Sequence, residues 1–199
     1  MSELKNEGEF QNTRERIIYE AGKLMRKKGF SATSMQEIAL EVGMLKGSLY
    51  HHFTSKEEIL FSVVCKGINK LIQDSQPAFE SELPPPAKLR KLIHIHAEHL
   101  MNNNDSIVVF SQEKDKLSSE YYDVYIQKRN QLEMFLRDTI GKGVKEGYFP
   151  TELDVKLTTF CILGMINWLI QWYHPEGTKS PHEIAKYMEF LICDQMMKK

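Results

Sequence analysis

The chain has 199 residues, 42% of them apolar and 27% charged, with a formal net charge of −1 at neutral pH. That is enough chain to bury a sizeable core in one compact unit or two small ones, and the composition is too apolar for a disordered protein. A polycation is excluded, so any surface for nucleic acid has to be local.

Helical periodicity dominates from one end to the other. Residues 1–10 read as a loose arm, polar and mixed in charge, with no apolar leader pattern. A first helix starts at Asn12, which caps it with Glu15 three residues on, and carries Ile17, Ile18, Ala21, Leu24 and Met25 on one side. It closes on Arg26, Lys27, Lys28 and Gly29, cations and then a glycine where the helix dipole and the chain reversal favour them. A second helix follows the Ser/Thr cluster 31–34, with a capping box from Thr33 and Gln36 or from Ser34 and Glu37. Met35, Ile38, Ala39 and Val42 form its apolar stripe, and Gly43 ends it. A short third helix spans Lys46 to His52. Ser55 caps a fourth, which runs to about residue 74 with Leu60, Val63, Val64, Ile68 and Leu71 on one face.

Pro84-Pro85-Pro86 is the clearest break. Beyond it the spacing predicts helices over 87–102, 105–116, 118–146, 153–173 and 180–197, punctuated by Asn102-Asn103-Asn104, Gly147 and Pro175-Glu176-Gly177. No stretch alternates strictly enough for a strand. The expected class is all-α, divided into a short N-terminal domain over 1–56 and a larger helical domain over 57–199. Phe160 to Tyr173 is the longest uncharged apolar run; it is short of the ~18–20 residues of a membrane span and contains Asn167 and Gln171, so a buried or interface helix is expected there. Cys65, Cys161 and Cys193 are scattered, without zinc or CxxC spacing, as reduced cytoplasmic thiols would be.

Residues 33–53, TSMQEIALEVGMLKGSLYHHF, place two short helices around a glycine turn, as a helix-turn-helix requires. Gly43 tolerates the positive φ of that turn, and Ala39 lets the helices approach closely. The second helix would enter the major groove. Leu49 and Phe53 face inward on this reading. Gly47 lets the backbone approach DNA, Lys46 reaches a guanine edge or a phosphate, and Tyr50 and His52 donate to phosphates. From Phe10 to Lys56 eight Lys/Arg stand against four acidic residues, so this segment carries +4 and the remainder −5. Such local concentration is the electrostatic footprint of a DNA reader.

The stretch 10–62, above all LKGSLYHHFTSKEEIL at 45–60, resembles the DNA-binding domain of the TetR family of transcriptional regulators. The resemblance implies that Thr33 and Tyr50 hold phosphates, that Lys46, Gly47, Ser48 and His51 face the groove, and that Lys56 clamps the backbone. With Ser34 and His52 these make the candidate DNA-binding set. Leu45 departs from the family's usual Ser or Thr; it either packs inward or meets a thymine methyl.

The C-terminal half resembles the family's acyl-CoA-responsive repressors of lipid breakdown over about 107–185, most clearly in LGMINWLIQWYHPEG. That implies a long apolar tunnel with a polar mouth, while the broader TetR resemblance implies a dimer interface made by the last two helices. On chemistry, Phe110, Tyr121, Tyr125, Trp168 and Trp172 supply walls. Asn167 and Gln171, one turn apart, are amides that need partners, and Lys128 and Arg129 suit phosphates. The candidate effector set is Phe110, Tyr121, Tyr125, Arg129, Asn167, Trp168 and Gln171. No cofactor is expected beyond such an effector, an acyl-CoA thioester. His94, His96 and His99 share one helix but lack a full ligand set, so no metal is expected. No catalytic motif is present, which disfavours an enzyme. The expected protein is a cytoplasmic, homodimeric repressor that binds a double-stranded operator and a small-molecule effector, with no membrane partner. Alternatives are a sensor of drugs or hydrophobic metabolites and a constitutive DNA-binding module without effector.

Overall fold

The computed structural model describes residues 12–102 and 104–197, the side chains of 104, 105 and 196 excepted. The arm expected over 1–10 and Asn103 lie outside the described residues. Every regular element among the described residues is helical. The chain divides into two compact units. The first runs through Lys66 and includes Asp105–Tyr122; the second takes 67–104 and the chain from 123 onward. The boundary expected at 56/57 falls inside the first unit.

In the first unit, α1 (Thr13–Lys28) opens on Asn12, whose side chain accepts from the Glu15 N–H, and buries Ile17, Ala21, Gly22 and Met25. α2 (Met35–Val42) starts on a reciprocal capping box between Ser34 and Glu37, the second of the two pairs the sequence allowed. α3 covers Lys46–Leu49, and α4 (Lys56–Glu80) begins after Ser55, whose Oγ accepts from the Glu58 N–H. Ile38, Ala39, Leu49, Phe53, Ile59 and Leu60 are almost fully buried among these helices. Each of the larger side chains contributes roughly 1.5–3 kcal/mol through burial. Gly22 lets α1 and α4 meet closely, since a Cβ there would lie 3.3 Å from Val63. α6 (Asn104–Glu113) and a 3₁₀ turn at Lys114–Lys116 belong to this unit, as does the start of α7 (Ser119–Lys145).

The second unit is built from the rest of α4 and α7, α5 (Pro85–Asn102), α8 (Val155–Asn167), α9 (Leu169–Trp172) and α10 (Pro181–Glu189), which runs on into a π-helical segment, Phe190–Met196. Leu89, Ile93, Ala97, Ile140, Phe149, Ile162, Ile166, Ala185 and Ile192 form its core. α5 begins on Pro85, two residues earlier than expected, because the first helical positions need no N–H donor. α4 continues past residue 74 through Pro77, which is exposed, so the carbonyl that proline leaves without a donor faces water. The single helix expected over 153–173 breaks at Trp168 into α8 and α9. Just after α7, Gly147 with a φ of 77° turns the chain so that Phe149 packs on Gly143. A second capping box, Ser180 with Glu183, starts α10 with Pro181 in its first turn.

Candidate nucleic-acid interface

The turn between α2 and α3 rests on Gly43, left-handed at φ 73° and ψ 35°, whose N–H reaches back to the carbonyls of Ala39 and Leu40. α3 is a single turn without a side-chain cap, because Leu45 stands where a hydroxyl would accept. From Tyr50 the chain continues in tighter turns: the N–H groups of Tyr50, His51 and His52 donate to the carbonyls of Gly47, Ser48 and Leu49. The expected helix 46–52 is therefore α-helical only to Leu49. Gly47 and Ser48 give it little propensity, and burial of Leu49 and Phe53 holds it in place.

Those two anchors leave the other side open. Ser34, Lys46, Gly47, Tyr50 and His51 are exposed, and Ser48 and His52 are half-buried. Leu45 is 79% exposed, which removes the inward-packing alternative and leaves it on the outer surface. Thr33 and Lys56 are placed differently. Thr33 is 1% exposed and its hydroxyl donates to the Gly29 carbonyl. The Lys56 ammonium donates to the carbonyls of Phe30 and Thr33, both at 2.7 Å, and lies 4.2 Å from the centre of the Phe30 ring. Burial lowers its pKa, against the opposing pull of Glu113 and Glu37.

Several residues that frame this surface were not anticipated from sequence. The Arg14 guanidinium lies 3.9 Å from the Phe53 ring centre, pairs with Glu58 at 3.0 Å and donates to the His52 carbonyl. Burial alone would raise the Glu58 carboxyl, but the Thr54 N–H and Arg14 hold it below its ordinary value. Glu37, bonded to Lys28 at 2.5 Å and to Ser34, is held down at about 2. Glu113, at the end of α6, accepts from the Phe30 N–H at 2.9 Å, and Glu57 accepts from the Ser118 N–H at 2.7 Å.

The candidate effector residues are divided between the units. Phe110 and Tyr121 lie in the first, where Tyr121 stacks on Phe61 with ring centres 4.3 Å apart. Tyr125 and Arg129 stand one turn apart on α7 in the second, Tyr125 half-buried and Arg129 exposed. Asn167, Trp168, Gln171 and Trp172 are exposed on the single chain. A cavity of about 160 Å³ in the second unit is lined by Phe79, Pro85, Lys88, Asp138, Thr139 and Lys142, none of them in the candidate set. It is smaller than the ~300–1,000 Å³ usual for a ligand pocket. Leu157, Phe160, Trp168 and Trp172 of α8–α9, with Tyr187 and Phe190 at α10, remain between 45% and 64% exposed. Cys161 is exposed on the same helix.

Two short helices joined by a left-handed glycine, with a basic and hydrogen-bonding outer face, make the protein a helix-turn-helix DNA-binding regulator. Comparison with known proteins gives it a family. Residues 17–63 match the bacterial regulatory proteins of the tetR family, and residues 82–196 match the tetracyclin repressor-like C-terminal domain. The chain belongs to the TetR family of transcriptional regulators, which are not enzymes. It is 29% identical over 182 residues to the HTH-type transcriptional repressor KstR2 of Mycobacterium tuberculosis, covering 90% of each chain. The crystal structure of PfmR from Thermus thermophilus, a TetR family transcriptional regulator, superposes with a TM-score of 0.82 at 36% identity, over 90% of this chain and 97% of that one. AibR, solved in complex with isovaleryl coenzyme A and operator DNA, shares the fold with a TM-score of 0.79 at 24% identity, over 90% of this chain and 97% of the other.

Proposed function

We propose that the protein is a homodimeric repressor that leaves its operator when a hydrophobic thioester of the acyl-CoA class binds the helical C-terminal part. The observation that carries the dimer is the exposed apolar face of Leu157, Phe160, Trp168, Trp172, Tyr187 and Phe190. A helix that is apolar on more than one side needs cover on more than one side, and two helices from each of two chains supply it. Val155–Trp172 is also long and apolar enough by composition to cross a membrane. A two-fold operator, which needs two reading heads, favours the dimer instead, and a regulator of this kind works in the cytoplasm beside the chromosome.

Ser34, Lys46, Gly47, Ser48, Tyr50, His51 and His52 meet DNA, while Thr33 and Lys56 hold the frame from inside. Affinity rests mainly on phosphates and falls steeply with salt. The thioester reading is supported by the LGMINWLIQWYHPEG resemblance and by the coenzyme A ligand of the structurally similar AibR. Tyr125, Arg129, Asn167, Trp168 and Gln171 are its proposed contacts.

Native mass spectrometry of the chain titrated with acyl-CoA thioesters of graded length tests both halves of the reading. A dimer that takes up one thioester per chain with a length preference supports it, and an operator-release assay with that thioester follows. A monomer refutes the interface. A dimer indifferent to every thioester refutes the effector class and points to drugs or other hydrophobic metabolites. Trp168→Ala sorts one residue: ligand binding kept but dimer lost assigns Trp168 to the interface.

A further inference from the structure

The second unit holds a cluster of imidazoles and carboxylates that DNA reading and effector binding leave unused. His94 and Glu98 stand one turn apart on α5, and His182 comes from the first turn of α10. The Glu98 Oε1 lies 3.2 Å from His94 Nε2 and 3.1 Å from His182 Nδ1. One ligand atom from each of the three residues falls within 4.8 Å of the other two. On its far side, His94 Nδ1 meets the Glu189 carboxylate at 2.5 Å.

Both ring nitrogens of His94 thus face carboxylate oxygens. A neutral imidazole has one N–H, so it satisfies one carboxylate and turns a lone pair on the other. The conflict is removed by a second proton on the ring or by a cation placed between His94 Nε2, Glu98 and His182. The surroundings favour the cation. Two imidazoles and a carboxylate are the mixed nitrogen and oxygen donors of zinc-class sites. Donor atoms around a tetrahedral zinc with ~2.0–2.1 Å bonds lie about 3.3 Å apart, close to two of the three separations here. Glu189 on Nδ1 is the outer carboxylate that fixes the tautomer and turns Nε2 toward an ion. The two carboxylates, Glu98 and Glu189, balance the charge of a dication with neutral imidazoles. His182 is more than half exposed and His94 is not sealed off, so an ion has a path in and water has room to complete the coordination.

We infer that His94, Glu98 and His182 form a binding site for a divalent transition metal, zinc in the first instance, with Glu189 as the positioning residue. The ion clips α5 to the start of α10, the helix that presents Tyr187 and runs on to Phe190. Of the three histidines read together in the sequence, His94 alone belongs to this site. His96 and His99 are buried and take no part in it. Its key member, His182, lies 84 residues from Glu98.

The test uses the full chain, free of any tag, stripped of metal and carrying Cys161→Ser so that the exposed thiol does not add a site. Cobalt(II) chloride is titrated by visible absorption and zinc chloride by calorimetry, with melting followed in parallel. The expected result is saturation at one ion per chain, four- or five-coordinate cobalt bands displaced by zinc, and a higher Tm with zinc. Glu98→Gln and His182→Ala abolish these changes while melting in chelator like the parent. Glu189→Gln weakens binding about 10- to 100-fold. Uptake that survives both ligand substitutions, or no saturable uptake, overturns the proposal. A parent Tm indifferent to zinc that falls as pH rises through the imidazole range also overturns it, because it identifies a second proton as what holds the cluster.

Discussion

Lys56 separates two accounts of the same residue, and replacing it with methionine measures which one holds. Family resemblance assigns it to the DNA backbone; in this structure its ammonium is bonded to the Phe30 and Thr33 carbonyls at 2.7 Å each. Methionine keeps an unbranched stem of similar reach and deletes the charge. Two hydrogen bonds from a charged donor are worth ~1.5–3 kcal/mol each, and the cation over the Phe30 ring adds ~0.5–1 kcal/mol. Relief of the ammonium's own burial cost offsets part of this, so the expected net loss is about 2–4 kcal/mol. Urea unfolding reads that loss as a lower midpoint with an unchanged slope. Operator affinity, measured between about 50 and 200 mM salt with the variant fully folded, gives the second readout. Each phosphate contact contributes about 0.9 to the slope of log affinity against log salt. The expected slope matches that of the parent. A slope reduced by about 0.9 with stability within ~0.5 kcal/mol of the parent would refute the internal role.

Other outcomes follow from the same structure. Gly143→Ala places a Cβ less than 3.0 Å from two carbons of the Phe149 ring, which is 2% exposed, so a thermal melt should show a loss of about 1–3 kcal/mol or more. His96 is buried, and that burial, with the charge of His99 second, lowers its pKa from 6.5 to about 4. It must stay neutral in the fold, so its contribution is complete above about pH 6.5 and is lost as pH falls toward about 4, at most about 3 kcal/mol. Denaturant midpoints across that range should fall for the parent and flatten for His96→Gln; a parallel fall in both would remove His96 as the cause. Leu157→Glu with Phe160→Glu, two exposed positions one turn apart, should yield a folded monomer by light scattering with operator affinity lowered at least about 10-fold. A stable dimer would locate the interface elsewhere.

What could be read from sequence was local. The α2 cap, the turn at Gly43 and the inward pair Leu49 and Phe53 depend on neighbours within a few residues, so spacing and residue type were enough. The break at Trp168 was hidden because an apolar run looks the same whether its backbone continues or kinks. α4 ran past its expected end because Pro77 is tolerated on an exposed face. The site contacts that went unseen join distant parts of the chain: Lys56 to Phe30, Glu113 to Phe30, His182 to Glu98. No periodicity encodes such pairs. Thr33 and Lys56 show the converse. Their positions match the family pattern, and in this structure their side chains also bond to carbonyls of the same domain.

The two Ser-x-x-Glu caps give the molecule an uneven tolerance to acid. Glu37 and Glu183, each bonded to its serine and to a lysine, keep carboxylates ionised down to about 2. The starts of α2 and α10 therefore outlast the core around His96 as protons are added. Mild acid should soften α5 first and leave a reading head with its helix starts still pinned. Amide exchange near about pH 5 would then run faster along α5 than along α2, a graded loosening rather than a single collapse.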